Sequence, residues 1–326
     1  GTPSQPITYR PYNRERVIFD GGISTAVYPA YNCNLQGFEI LVSEFVADSG
    51  NRWSALGGSG PLDIPYPWGG VDLNRGSGLN VVNCIIHDSF QGIGHWGNVT
   101  GKIYGNIVYN NGWYSTDRNH GHGMYTQNAT SGLKVVSNNM FIDNFSLSFQ
   151  AYGSSAADTS DYTITNCSYL KTPEGPSDDG HFLFGGANPF NNVTITKLIG
   201  SNSVSIGFEA MADPGDGITC SGCRIWDGLG FIDNFQNLTK FNNIWQQVGF
   251  ALPRTEATNG DRTGTPIAMP TEPFINFVPN EYDNKLAYIH IINYPIGSGA
   301  PANVTPSGFL DVGEKYALLN PTNMFG

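Results

Sequence analysis

The chain has 326 residues, a net charge of −11 and an isoelectric point near 4.8, yet only 13% of its residues are charged, about half the ~25% of an ordinary soluble domain. That acidic balance excludes nucleic acid and anionic membrane surfaces as partners, because both need a basic field, and no apolar run approaches the ~18 residues that would insert into a bilayer. With 40% hydrophobic and 13% aromatic residues the chain has the material for a core, so it is not disordered, while 41 Gly, 20 Pro and 33 Asn supply turns.

In chain order, Gly1-Thr2-Pro3 runs at once into the strand-like Ile7-Thr8-Tyr9, with no initiator Met and no signal peptide, as expected of a trimmed mature chain. Val17 to Asp20 and Phe38 to Val42 read as early strands, and a Gly/Pro loop from Gly57 to Gly70 bulges out after them. Regular repetition is expected from about residue 78 to 250. There the runs Leu79 to Ile86, Ile103 to Val108, Leu133 to Phe141, Tyr162 to Cys167, Val193 to Leu198, Ile218 to Cys223 and Leu238 to Ile244 recur at intervals of roughly 20 to 32 residues. Each is short, β-branched and alternating. Between copies a second run returns: Gly92 to Trp96, Gly123 to Gln127, Ser148 to Tyr152, His181 to Phe184, Ser205 to Glu209 and Gly230 to Asp233. Two strand-like runs per period, with Gly, Asn and Asp turns and no room for a helix, predict a parallel β-solenoid. A propeller would need four strands in ~40–45 residues.

The second run sets a register. Ile93, Met124, Phe149, Phe182, Ile206 and Phe231 fall in one inward apolar column. Alternation then turns Trp96, Gln127, Tyr152, Gly185, Glu209 and Asn234 outward, as a ledge with rungs ~4.8 Å apart. The recurrent Asn83, Asn106, Asn139, Asn166 and Asn243 are expected to stack at one corner. From Leu252 to Asn280 the chain is rich in Pro and Thr and has no period. Leu286 to Ile292, a turn at Pro306 to Gly308, and Lys315 to Leu319 then read as antiparallel strands. The expected organisation is thus a β-helix over residues 1–250, followed over 251–326 by a loop-rich segment and a small antiparallel β module or cap.

Five cysteines at irregular spacing fit neither a disulfide framework nor a zinc site, and read as small buried side chains, although Cys220 and Cys223 are near enough in sequence to pair. Seven Asn-x-Ser/Thr sequons, at Asn98, Asn128, Asn144, Asn166, Asn192, Asn237 and Asn303, permit secretion.

The opening Pro6-Ile-Thr-Tyr-Arg-Pro-Tyr12 and Val17-Ile-Phe-Asp-Gly21 resemble the first strands of secreted right-handed parallel β-helix proteins of the pectate-lyase-like superfamily. The block Tyr104-Gly-Asn-Ile-Val-Tyr109, Asp117 to Asn128 and Ala151-Tyr-Gly153 looks like a bacterial subgroup of those repeat proteins. The resemblance covers roughly residues 1 to 250. It implies an all-β, right-handed, single-stranded parallel β-helix in an extracellular, secreted or cell-surface protein. It also implies a polysaccharide partner, met by a lyase, a glycoside hydrolase or a non-catalytic, tailspike-like adhesin. The chain departs from pectate lyases in having no Lys/Arg-rich, multi-Asp calcium cluster, and from polygalacturonases in having no neighbouring pair of Asp motifs.

Two clusters carry candidate chemistry. The first is Asp117, Arg118, His120, His122 and Tyr125 as catalytic residues, with His95, Trp96, Gln127, Gln150 and Tyr152 on neighbouring rungs as substrate-binding residues. A base that removes the C5 proton of a uronate beside a cation that neutralises its carboxylate is the chemistry of a lyase or epimerase, and His or Tyr with Arg fits it. His120-Gly-His122 near Asp117 is also a metal-ligand spacing; the alternative is a Gly-rich corner whose His and Arg bond loop carbonyls. The second cluster is Asp178, Asp179, His181, Glu209, Asp213 and Asp216, in which Glu209 extends the binding face. Paired carboxylates suit a glycosidase, but Asp-Asp-Gly and Asp-Pro-Gly-Asp-Gly are also ordinary turns. Calcium is the one cofactor this reading admits, as a bridge between an acidic surface and a polyanion. The expectation is a protein that binds a polysaccharide along its ledge and cleaves it, with His122 as the principal acid–base residue.

Overall fold

The computed structural model describes every residue except 45–51, 55–68, 98, 129–131, 155–156, 172–181, 187–190, 202–203, 209–216, 229–230, 234–237, 248–251, 256–263, 293–301, 307 and 322–326. Strands dominate it and helix is almost absent, a three-residue 3-10 stretch at Tyr12–Arg14 being the exception among complete elements. Three long sheets of nine, eleven and eight strands hold most of the strands. Their ladders are parallel except where Arg254–Thr255 and Thr265–Pro266 extend the eleven-stranded sheet in antiparallel fashion. The chain visits the three sheets in turn. Gly76–Val82 lies in the first, Ile85–His87 in the second and Ile93–His95 in the third, and Gly101–Tyr104 then returns beside Gly76–Val82. The arrangement is compatible with a parallel β-helix.

Three strands per circuit, where the sequence pattern predicts two runs, come from the corners. The expected run Leu79 to Ile86 is two strands on either side of Asn83, whose φ of 53° turns the chain through the left-handed region. Asn138, Asn166 and Asn242 do the same on later rungs, with φ of 58°, 51° and 57°. Asparagine enters that region at lower cost than other non-glycine residues, since its short polar side chain bonds locally. The expected single Asn stack is therefore two neighbouring columns. Asn83 and Asn166 stand at the left-handed corner, whereas Asn106, Asn139 and Asn243 are the residues that follow it and point into the core, fully buried. Asn106 Nδ2 donates to Asn139 Oδ1 at 2.9 Å, and Asn139 Nδ2 donates to the Ile103 carbonyl at 2.8 Å. A second ladder, Asn111 to Asn144 at 2.9 Å, holds the corner between the second and third sheets.

The core runs along the inside of the three sheets. The inward column of the third sheet aligns Ile93, Met124, Phe149, Phe182 and Val204, and the backbone of Phe231 pairs beside Val204 on the next rung. Val204 takes the place expected of Ile206, which lies two residues on beside Phe184 and still faces inward. The Phe149 and Phe182 rings stack at 4.4 Å and 5°. Cys84, Cys167, Cys220 and Cys223 are buried and Cys33 is half-buried, all as free thiols.

At the C-terminal side Ala287–Ile292 forms an antiparallel hairpin, but with Phe274–Pro279, which lies in the stretch expected to be irregular. Lys315 to Leu319, expected as a strand, has no strand partner among the described residues and is exposed. Three of those five residues are polar or small, so no alternating apolar face exists to dock. The hairpin packs on the corner of the first two sheets: Tyr288 donates to the Gly105 carbonyl at 2.8 Å, Asn280 to Asn83 Oδ1 at 2.8 Å and Asn276 to Asn166 Oδ1 at 3.1 Å. The Asn corner thus serves as a docking strip for the hairpin.

Candidate functional site

The outer face of the third sheet places the first cluster. Register puts Asp72, Gly94, Tyr125 and Gln150 in one outward column on successive rungs. Two residues further along each strand come Trp96, Gln127 and Tyr152. Trp96, Tyr125, Gln127, Gln150 and Tyr152 are all half-exposed. The open face is shorter than expected, because Leu183 and Ser205, next in the Tyr125 column, are buried, and so is Gly185 beside Tyr152. Its half-exposed side chains cover the three rungs from Trp96 to Tyr152, two steps of ~4.8 Å, so it is ~10 Å long.

Contacts link its members. The Trp96 indole N–H donates to Asp72 Oδ1 at 2.6 Å. Tyr125 meets the Trp96 ring edge-on at 4.9 Å, and His122 meets Tyr125 edge-on at 5.5 Å. Gln127 Nε2 donates to the Tyr152 carbonyl at 2.9 Å. Burial pushes the Tyr125 phenol up, a hydrogen bond with Gln127 offsetting part of the rise, so it stays protonated at neutral pH. The Leu147 N–H donates to His122 Nδ1 at 3.2 Å, which puts the proton of a neutral ring on Nε2. His122 therefore presents a donor, and acts as a base through Nδ1 only by releasing Leu147.

The remaining members of the cluster go elsewhere. His120 is buried, pairs by backbone with Trp113 in an antiparallel bridge, stacks on the Trp113 ring at 5.0 Å and faces Asp117 Oδ1 at 2.9 Å through Nε2. Asp117 and Arg118 stand exposed at the tip of that hairpin. The expectation that both imidazoles share one face fails here, because residues 120 to 123 form a corner and not an extended strand. His95 is fully buried, and burial, with the Lys134 charge behind it, drives its imidazole well down; it faces the core and is closed to a ligand on the ledge. Glu209, with Asp178, Asp179, His181, Asp213 and Asp216, lies outside the described residues.

Three groups that the sequence pattern did not single out shape the site. Asp72 is buried, and burial raises its carboxyl against hydrogen bonds from Trp96, Ser24 and Asn74. The signal for it is the run Gly70-Val-Asp-Leu73, which matches Gly92-Ile-Gly-His95 and Gly123-Met-Tyr-Thr126 one and two rungs on. Glycine recurs there because the corner is tight: a Cβ on Gly92 would sit 2.3 Å from the Gly123 carbonyl oxygen. Lys134, fully buried, donates to the carbonyls of His95, Trp96 and Gln127 and ties the ends of two ledge strands to the first sheet. A separate cluster lies outside the second sheet, where His87 Nε2 faces Glu39 Oε1 at 3.1 Å and His87 Nδ1 faces Asp88 Oδ2 at 2.7 Å. Arg16 and Arg52 close its ends on Glu39 and Asp88. Its charges neutralise one another, and the three central side chains are at most 12% exposed, so it braces the fold.

Among the described residues no group of three or more His, Cys, Asp or Glu side chains is arranged to hold a metal ion, and no helix is long and apolar enough to cross a membrane. The chain matches no known family model, no curated protein and no solved structure.

Proposed function

We propose that the chain is a right-handed, single-stranded parallel β-helix from a secreted or cell-surface protein, and that it binds a polysaccharide along the outer face of the third sheet. The observation that carries this reading is the column pair Tyr125–Gln150 and Trp96–Gln127–Tyr152, five half-exposed aromatic and amide side chains on one rigid parallel ladder. Indole and phenol rings offer flat apolar faces to the C–H side of sugar rings, with a polar tip for their hydroxyls. Gln127 and Gln150 add donors and acceptors, and none of the five is charged. The protein side of such a complex is pre-organised on the parallel ladder, which limits the ordering cost of binding.

Cleavage of the bound chain, by elimination or hydrolysis, is a second reading, favoured by one contact: His122 lies edge-on to Tyr125 beside the ledge. A phenol kept protonated and an imidazole that can exchange its Leu147 bond for a proton form a donor–acceptor pair. A purified-protein screen against a polysaccharide panel tests both readings, by retention in affinity gels, new reducing ends and absorbance from unsaturated products. Retention without product leaves a non-catalytic binding module; retention with product makes an enzyme. Absence of both across neutral and acidic polysaccharides refutes the proposal.

A further inference from the structure

The Trp96 indole is held in place by two residues that no part of the repeat pattern requires. Gly94 sits in the outward column between Asp72 and Tyr125, where neighbouring rungs carry side chains. A Cβ at Gly94 would lie 2.6 Å from Trp96 Nε1, 3.0 Å from Trp96 Cε2 and 2.9 Å from Asp72 Oδ1. The missing side chain is thus a notch one rung wide, and the pyrrole edge of the indole fills it. Asp72 closes the notch from the preceding rung: Oδ1 accepts the indole N–H at 2.6 Å, while Oδ2 is held by Ser24 Oγ at 3.1 Å and by Asn74 Nδ2. Tyr125 closes it from the following rung, ring edge to ring face. Asp72 is 5% exposed and both its oxygens accept within this frame, so it is not presented to a ligand. Trp96 stays half-exposed.

We propose that Asp72 and Gly94 are positioning residues that preform Trp96 as the stacking platform of the ledge, and that the platform takes an uncharged hexose unit in preference to a uronate. This rests on the glycan-binding reading above. The preference follows from the surroundings: Asp72 places a buried negative charge against the indole, and Tyr125, Gln127, Gln150 and Tyr152 bring none of the positive charge that a uronate carboxylate needs. Locking a flexible indole before binding removes the cost of ordering that side chain on binding.

The test uses the full chain labelled with 15N-tryptophan, in which the indole signal of Trp96 is identified by its loss in Trp96→Phe. Methyl glucoside and glucuronate are the probes. The expected result is a Trp96 indole signal that moves with methyl glucoside, moves at least several-fold less with glucuronate, and shifts position in Asp72→Asn without ligand. Asp72→Asn and Gly94→Ala should each weaken the methyl glucoside response of the Trp96 signal ~3–10-fold. If Trp96 responds to methyl glucoside with wild-type strength in both Asp72→Asn and Gly94→Ala, the positioning role is overturned while the binding reading stands. An equal or stronger response to glucuronate overturns the preference. If the Trp96 signal moves with neither sugar, the ledge is not a glycan face and both readings fall together.

Discussion

Replacing Asn139 with Ala should cost ~1–3 kcal/mol of stability. Its Oδ1 accepts from both the backbone N–H and the Nδ2 of Asn106 at 2.9 Å, and its Nδ2 donates to the Ile103 carbonyl. Asn106 Nδ2 keeps a second acceptor in the Val81 carbonyl at 3.0 Å. The Ile103 carbonyl lies in a strand paired on both sides and keeps its ladder bond, so the loss that counts is the Asn106 N–H, at ~1–3 kcal/mol for a group left dry. Asn106 and Asn139 are both 0% exposed, so water does not replace that bond. The same column accepts apolar residues on other rungs, Cys167 and Leu198 among them, so the double change Asn106→Ala with Asn139→Ala should cost less than the sum of the single ones. Urea unfolding followed by circular dichroism gives the stabilities, and hydrogen exchange at the Asn106 amide gives the local effect. A single-variant cost below ~1 kcal/mol with an unchanged Asn106 exchange rate would refute the ladder.

Phe149→Ala should cost ~3–5 kcal/mol, since Phe149 is 0% exposed and its ring stacks on Phe182; a denaturation midpoint within error of wild type would contradict the inward column. Acid should unfold the chain partly through Glu39 and Asp88. Burial alone raises both carboxyls, but bonds and charges from Arg16 and His87 on Glu39, and from His87 and Arg52 on Asp88, outweigh it and leave both lowered. A lowered folded pKa means stability that is complete above the unfolded values of ~4 and is lost as pH falls through the folded ones. Arg52→Met should flatten that acid limb, and an identical stability–pH curve below pH ~5 would exclude the contribution. Where the polysaccharide screen yields product, His122→Ala should lower turnover ~10²–10⁴-fold with retention largely kept; an unchanged rate would move the chemistry away from His122.

The repeat was legible because its physics is local. Alternation of β-branched and aromatic residues marks the strands, and the inward column from Ile93 to Phe182 follows from a period-2 pattern anchored on glycine. The corners were less legible, since asparagine serves two purposes there, turning the chain at Asn83 and filling the core at Asn106. The two roles differ by one residue, and composition does not separate them. The hairpin partner Phe274–Pro279 was missed because Pro270 and Pro273 mask its short alternating run. At the site, Trp96, Tyr125, Gln127 and Tyr152 were placed by register alone. His120 was misplaced because Gly121 and Gly123 break the strand that spacing arguments assume, and His95 is buried because alternation from Ile93 turns it inward with its rung neighbours Leu73 and Thr126. Asp72 went unseen because its rung precedes the stretch where repetition becomes regular.

Retention of the variant carrying both Trp96→Ala and Tyr152→Ala, in affinity gels cast with a polysaccharide that retards the wild type, tests the glycan-binding ledge most directly. Trp96→Ala takes one of three hydrogen bonds from the buried Asp72, so the melting temperature should fall by only a few degrees with the fold kept, while mobility returns to that of a gel without polysaccharide. Wild-type retardation of a folded double variant would contradict the account and place any glycan site on another face of the molecule.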